Sequence, residues 1–210
     1  MQAEANIADM DLLSGILRLA GPGQDWNISP SDPTQGQEAF GYVANPDGSP
    51  RWFFPLDSKS VRFLDLYSSA SIKARAFRIG VIAASKLGQR NRLISGTFSF
   101  SKKHNNLASL CQQLGYRDYA VFTGTAGQDR KSVVALGNKG PTEVFLKIAH
   151  SPVAAGLVRT EAEVLAQLGK ISFQHLAVPA LVESGYPHII GQANARPSRA
   201  TQASTSSRFI

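Results

Sequence analysis

Cysteine is almost missing from this chain. Cys111 is the only one in 210 residues, which excludes an internal disulfide and any cysteine-based metal cluster. Histidine is scarce as well. His104, His150, His175 and His188 are scattered, without the close spacing of a structural or catalytic zinc site. No apolar run approaches the roughly 20 residues that a membrane-spanning helix needs. The opening MQAEANIADMDLL carries acids where a secretory signal carries basic residues. These absences lead us to expect a cytoplasmic protein of a reducing compartment, with no transmembrane segment and no bound metal. Charged residues make up only 18% of the chain and hydrophobic ones 43%, so it can build a packed core.

The net charge of +7 is unevenly distributed. Residues 1–50 hold one basic and seven acidic side chains, whereas residues 51–130 hold thirteen basic and four acidic ones. Residues 131–185 are near balance, and the last 25 residues contain three arginines and no acid. A basic middle segment suits phosphate, nucleic acid or anionic lipid, and equally a solvated basic surface with no partner. No nucleic-acid-binding motif accompanies it, so nucleic acid is not expected as a partner.

Periodicity gives a coarse order of elements. Asn6–Leu19 has helical spacing, Phe40–Ala44 and Arg51–Leu56 read as strands, and Ile72–Leu87 is a basic helix. Trp52, Phe53 and Phe54 suit a core. Phe98–Phe100 is strand-like, and Asn105–Leu114 is a helix that buries Cys111 as a small hydrophobe. The pattern then changes. Strands are expected at Tyr119–Thr123, Lys131–Leu136 and Val144–Ala149, a helix at Pro152–Leu168 and a returning strand at Val178–Glu183. From Tyr186 the composition suggests disorder. The expected organisation is an acidic helix and loop over 1–50, a basic mixed leader over 51–118, a compact α+β unit over 119–185 and a disordered tail over 186–210.

Two charged residues in the α+β unit stand where packing alone would not put them. Lys147 interrupts the apolar strand VFLKIA, and burying a lone ammonium is costly. Glu161 shares a helix face with Leu157, Val164, Leu165 and Leu168, while Glu163 points away. A lysine and a glutamate stranded on adjacent buried surfaces suit one another as an ion pair. Upstream, the strands at 119–123 and 131–136 flank GTAGQDR, whose glycines let backbone amides come close to phosphate. The loop lacks the GK[ST] of a P-loop and is followed by a strand rather than a helix.

A hairpin with a glycine loop, a strand lysine, a helix glutamate and a returning strand resemble the small lobe of a kinase-like phosphotransferase. The segments GTAGQDRKSVVAL, FLKIA, LVRTEAEVLAQL and VPALVESG are most similar to the aminoglycoside phosphotransferase and choline-kinase-like branch. The resemblance covers about 65 residues. It implies an antiparallel sheet with one helix, and a nucleotide, ATP, as cofactor. Lys147 matches the lysine on the α- and β-phosphates and Glu161 the glutamate that orients it. Gly124, Thr125, Gly127 and Arg130 match the loop above the phosphates. Bacterial members of this branch include some encoded among surface-polysaccharide genes, which implies a role in polysaccharide biosynthesis. An intact relative would transfer phosphate from ATP to a hydroxyl acceptor. These 210 residues contain no H-x-D or D-x-G-type segment to supply a catalytic aspartate and Mg²⁺ ligands. The expectation is therefore a truncated, inactive phosphotransferase-like chain with no catalytic and no metal-binding residue, weak or lost ATP binding, and a partner lobe elsewhere. The alternative is a non-enzymatic regulatory or adaptor module at an anionic partner or membrane surface.

Overall fold

A computed structural model describes residues 7–19, 35–58, 60–66, 72–87, 94–138, 140–173, 178–183 and 189–193. The elements are α1 (Ile7–Arg18), β1 (Gln37–Ala44), β2 (Pro50–Pro55), a 3-10 turn (Arg62–Leu66), α2 (Ile72–Lys86), β3 (Gly96–Ser101), a second 3-10 turn (Lys102–His104) and α3 (Asn106–Gln113). They continue with β4 (Asp118–Phe122), β5 (Lys131–Gly137), β6 (Val144–Ala149), α4 (Pro152–Leu168), β7 (Ala180–Glu183) and β8 (Ile189–Ala193). The strands form one antiparallel sheet in the order β3-β1-β2-β4-β5-β6-β8-β7.

Alternation along each strand divides the sheet into two faces. On one, Phe53, Val121, Val134, Leu136, Leu146 and Ile148 meet Leu13, Ile16 and Leu17 of α1 and Leu107, Leu110 and Cys111 of α3 in a single buried cluster. Phe40, Phe53 and Phe98 add ring contacts, with the Phe40 and Phe98 centroids 5.1 Å apart and stacked. On the other face Trp52, Phe54 and Ala120 pack with Phe63 and Leu64 of the first 3-10 turn and Val81 of α2. Helix α4 lies against β6, β7 and β8.

The expected boundaries at 50/51 and 118/119 coincide with no break in the sheet or the core. Strand β1 of the expected 1–50 region and β2 and β3 of the leader extend the sheet through the β2–β4 pair, and α1 buries its apolar side in the cluster that includes β5 and β6. The expected lobe of one small sheet and one helix is thus part of an eight-stranded sheet. The boundary at 50/51 reflects a change in charge and that at 118/119 a change in residue pattern, and neither is a change in packing.

Part of the expected tail is a strand. Ile189–Ala193 form β8, inserted between β6 and β7 and paired with both. The expectation of disorder rests on the lack of apolar periodicity after Tyr186, but two flanking strands satisfy the backbone of this segment and a side-chain-free residue lets them close up. At Gly191 a Cβ would lie 2.9 Å from the Val182 carbonyl oxygen and 3.1 Å from a Leu146 methyl. The rest of the expected tail, 194–210, lies outside the described residues, as do residues 20–34 of the expected N-terminal helix and loop.

Candidate functional site

The β4–β5–β6 register builds the site. Phe122 pairs with Val133 and Val133 with Lys147, so the three share the face covered by α2 and α4. Leu146 and Ile148, on either side of Lys147, point to the opposite core. The lysine therefore lies on the face of β6 from which it can meet α4 without entering the main cluster. Ser151 caps that helix, its Oγ accepting from Ala154 N at 3.0 Å, and Pro152 opens the first turn.

Lys147 Nζ donates to Glu161 Oε1. Lys147 is 17% exposed at the side chain and Glu161 33%, so the pair sits at the edge of the core rather than inside it. The buried line of α4 is Ala154 and Val158. At about 100° per residue, Glu161 lies about 60° from Val158, whereas Leu157 and Val164 lie about 100° and 120° away. Both are accordingly exposed, 50% and 47%, which corrects the expectation that they share a buried face with Glu161. The sheet covers a narrower arc of the helix than its apolar stripe spans. Glu163 is exposed, as expected.

A second lysine joins the pair. Lys131 Nζ stands 3.8 Å from Glu161 Oε2, with 39% of its side chain exposed. One carboxylate thus serves two ammonium groups. Sequence reasoning missed Lys131, although alternation along KSVVALG puts it on the Val133 face. The missing information was the hairpin register, which pairs Lys131 with Ala149 and brings it beside the start of α4.

Residues 123–130 link β4 to β5. Gly124 has φ +82°, and a Cβ there would lie 2.2 Å from the Lys131 carbonyl oxygen, so the turn requires glycine. Thr125 and Gly127 are exposed. Arg130 turns back, its Nε donating to the Thr123 carbonyl at 3.1 Å. It braces the base of the loop. The far side of the loop is tied to the helix cap, since Ser151 Oγ also donates to the Gln128 carbonyl. Of the six residues expected to hold nucleotide, Lys147 and Glu161 meet directly, while Gly124, Thr125, Gly127 and Arg130 form the adjoining loop.

Two other features bear on chemistry. Ser132 Oγ lies 2.7 Å from His150 Nε2 and 3.1 Å from the Thr123 carbonyl. The serine is fully buried, and these contacts fasten the base of the loop to the end of β6. A cavity of about 530 Å³ lies at the other end of β4, lined by Glu38, Asp57, Ser58, Arg117, Asp118 and Tyr119 among others. It opens where β2 and β4, paired only at Trp52–Phe122 and Phe53–Val121, diverge. Burial raises the pKa of Glu38, opposed by the bond it accepts from Asn105 Nδ2 at 2.8 Å. Burial also pushes the Tyr119 phenol well up. Neither Lys147 nor the 123–130 loop lines this cavity. No family model matches the chain, and no curated protein or solved structure shows a match.

Proposed function

We propose that the chain holds the phosphates of a nucleoside triphosphate, ATP in the reading the sequence suggests, on the α4 side of β5 and β6. In this role it acts as the small lobe of a phosphotransferase-like protein. The observation that carries the reading is the Lys147–Glu161 pair, formed between a strand and the following helix beside a glycine-containing hairpin loop. In phosphoryl transfer such a pair positions an ammonium on the α- and β-phosphates. Here Glu161 fixes Lys147 Nζ, and Lys131 adds a second, more exposed positive group at the same carboxylate. The two lysines and the loop amides fit a polyphosphate. They assign no residue to Mg²⁺ or to the base that would deprotonate a hydroxyl acceptor, so transfer requires a second lobe from outside these residues. Surface-polysaccharide biosynthesis is the setting the resemblance suggests.

The test is titration with a non-hydrolysable ATP analogue, comparing wild type with Lys147→Met and using adenosine as the control. Saturable binding should weaken about tenfold or more in the variant, the scale of one charge-assisted hydrogen bond of about 1.5–3 kcal/mol. Binding of adenosine should not depend on Lys147. Absence of analogue binding, or equal binding by the variant, would overturn the proposal.

A further inference from the structure

Helix α2 presents to solvent the side that a core-forming helix would hide. Its one buried residue among those described is Val81, 1% exposed against Trp52, Phe54 and Phe63. At about 100° per residue, Ile72 and Ile79 fall within about 20° of the point opposite Val81, with Ala76 and Ala83 beside them. Ile72 is 85% exposed and Ile79 68%, and Leu87, just past the helix end, is 74% exposed. The helical positions 75 and 86 flank this stripe on one side and position 73 on the other, and they are Arg75, Lys86 and Lys73. Residues 72–92 carry six basic side chains and no acid. Of these, Arg78 is turned inward, bonded to the Leu64 carbonyl and to Asp65 at 3.3 and 3.2 Å. The helix is thus held to the body by Val81, Ile82 and Arg78, while Ile72 and Ile79 are exposed on its far side.

We propose that this face of α2 is a docking surface for an anionic lipid bilayer. An apolar stripe of isoleucines with basic residues along its borders, lying parallel to the body surface, can insert to the depth of the headgroup–acyl boundary while the cations meet lipid phosphates. The charge complementarity is one-sided. A segment without any carboxylate has nothing to offer a cationic partner, and two isoleucines this exposed gain nothing from a purely electrostatic contact. No described helix is long and apolar enough to cross a membrane, so the attachment is peripheral and reversible. It places the loop and Lys147 on a protein held at a surface, independently of whether that site binds nucleotide.

The experiment uses the full chain and sedimentation with vesicles of phosphatidylcholine alone or mixed with phosphatidylglycerol. Wild type should sediment with the mixed vesicles and not with the neutral ones, and binding should fall as salt rises. Ile72→Ser combined with Ile79→Ser, which keeps every charge, should weaken partitioning about tenfold or more, because it removes the inserted apolar area. Arg75→Glu should weaken it too. A second arm labels Ile79→Cys with an environment-sensitive fluorophore. Cys111 is buried and does not compete for the label, and the emission should shift to the blue on mixed vesicles. Equal binding by the isoleucine variant, no spectral shift, or tighter binding to single-stranded nucleic acid or an acidic protein than to vesicles would each overturn the proposal.

Discussion

Thr142 donates to Asp65 twice, from its backbone amide at 3.2 Å and from its hydroxyl at 2.8 Å. The other oxygen of the same carboxylate accepts from Arg78 at 3.2 Å. One side chain of the leader thereby joins α2 to the turn that precedes the Lys147 strand. Asp65→Ala removes all three bonds, and because the group is partly exposed the loss should be about 1–3 kcal/mol. Chemical denaturation should show a single transition moved to lower denaturant. Two transitions, only one of them shifted, would mean that the leader and the later strands fold separately.

Gly124 and Gly140 both have positive φ, +82° and +100°, but differ in their surroundings. A Cβ at Gly140 meets nothing within 4 Å, whereas at Gly124 it collides with the Lys131 carbonyl. Gly140→Ala should cost about 1 kcal/mol, the backbone penalty alone, and Gly124→Ala distinctly more. Thermal melts of the two variants measure the difference. Equal losses would show that the 123–130 loop can relax away from β5.

Local signals carried much of this fold. The bounds of α4 follow from Ser151 as cap, Pro152 in the first turn and Gly169 after the last, and those of β6 from the alternation around Lys147. The Lys147–Glu161 contact was legible because both residues interrupt apolar patterns. What local signals could not supply was pairing. Strand β8 owes its structure to the strands on either side of it. Lys131 joins the site through a register that no local pattern contains. The breadth of the apolar stripe on α4 does not reveal how much of it the sheet covers, so Leu157 and Val164 were placed on the wrong side of the surface. The change of residue pattern near Asp118 likewise carries no information on the β2–β4 pairing that makes the sheet continuous.

Glu38 gives a pH dependence with a definite sign. Burial, aided by Asp57, raises its pKa above the usual 4.5, and this outweighs the opposing Asn105 bond and Lys102. A carboxyl raised in the folded state favours folding while it is protonated. That contribution is complete below pH 4.5 and is lost as the pH climbs through the raised value. Glu38→Gln keeps an acceptor for Asn105 and carries no charge to desolvate. The variant should therefore be more stable than wild type at pH 7, and the two should converge in acid. Melting midpoints at both pH values test this. A variant less stable at pH 7 would mean that the Asn105 bond outweighs desolvation.

The three charges at the site make a sharper demand on mutagenesis than a simple pair would. Lys147→Met leaves Glu161 with Lys131 still near it, so the carboxylate is not stranded. Glu161→Gln leaves two ammonium groups that share one locality and have lost their common counter-charge. The glutamate substitution should therefore destabilise more than the lysine one, the reverse of what burial alone suggests, since Lys147 is the more buried partner. In the double variant the coupling energy should be about 0.5–1.5 kcal/mol, towards the low end for contacting residues because a third of the glutamate is exposed. It should shrink as salt is added. Denaturation of the wild type, both single variants and the double variant completes the cycle. Strict additivity would remove Lys147–Glu161 as an interacting pair, and with it the main support for a nucleotide lobe. A larger loss for Lys147→Met than for Glu161→Gln would show that Lys131 takes no part.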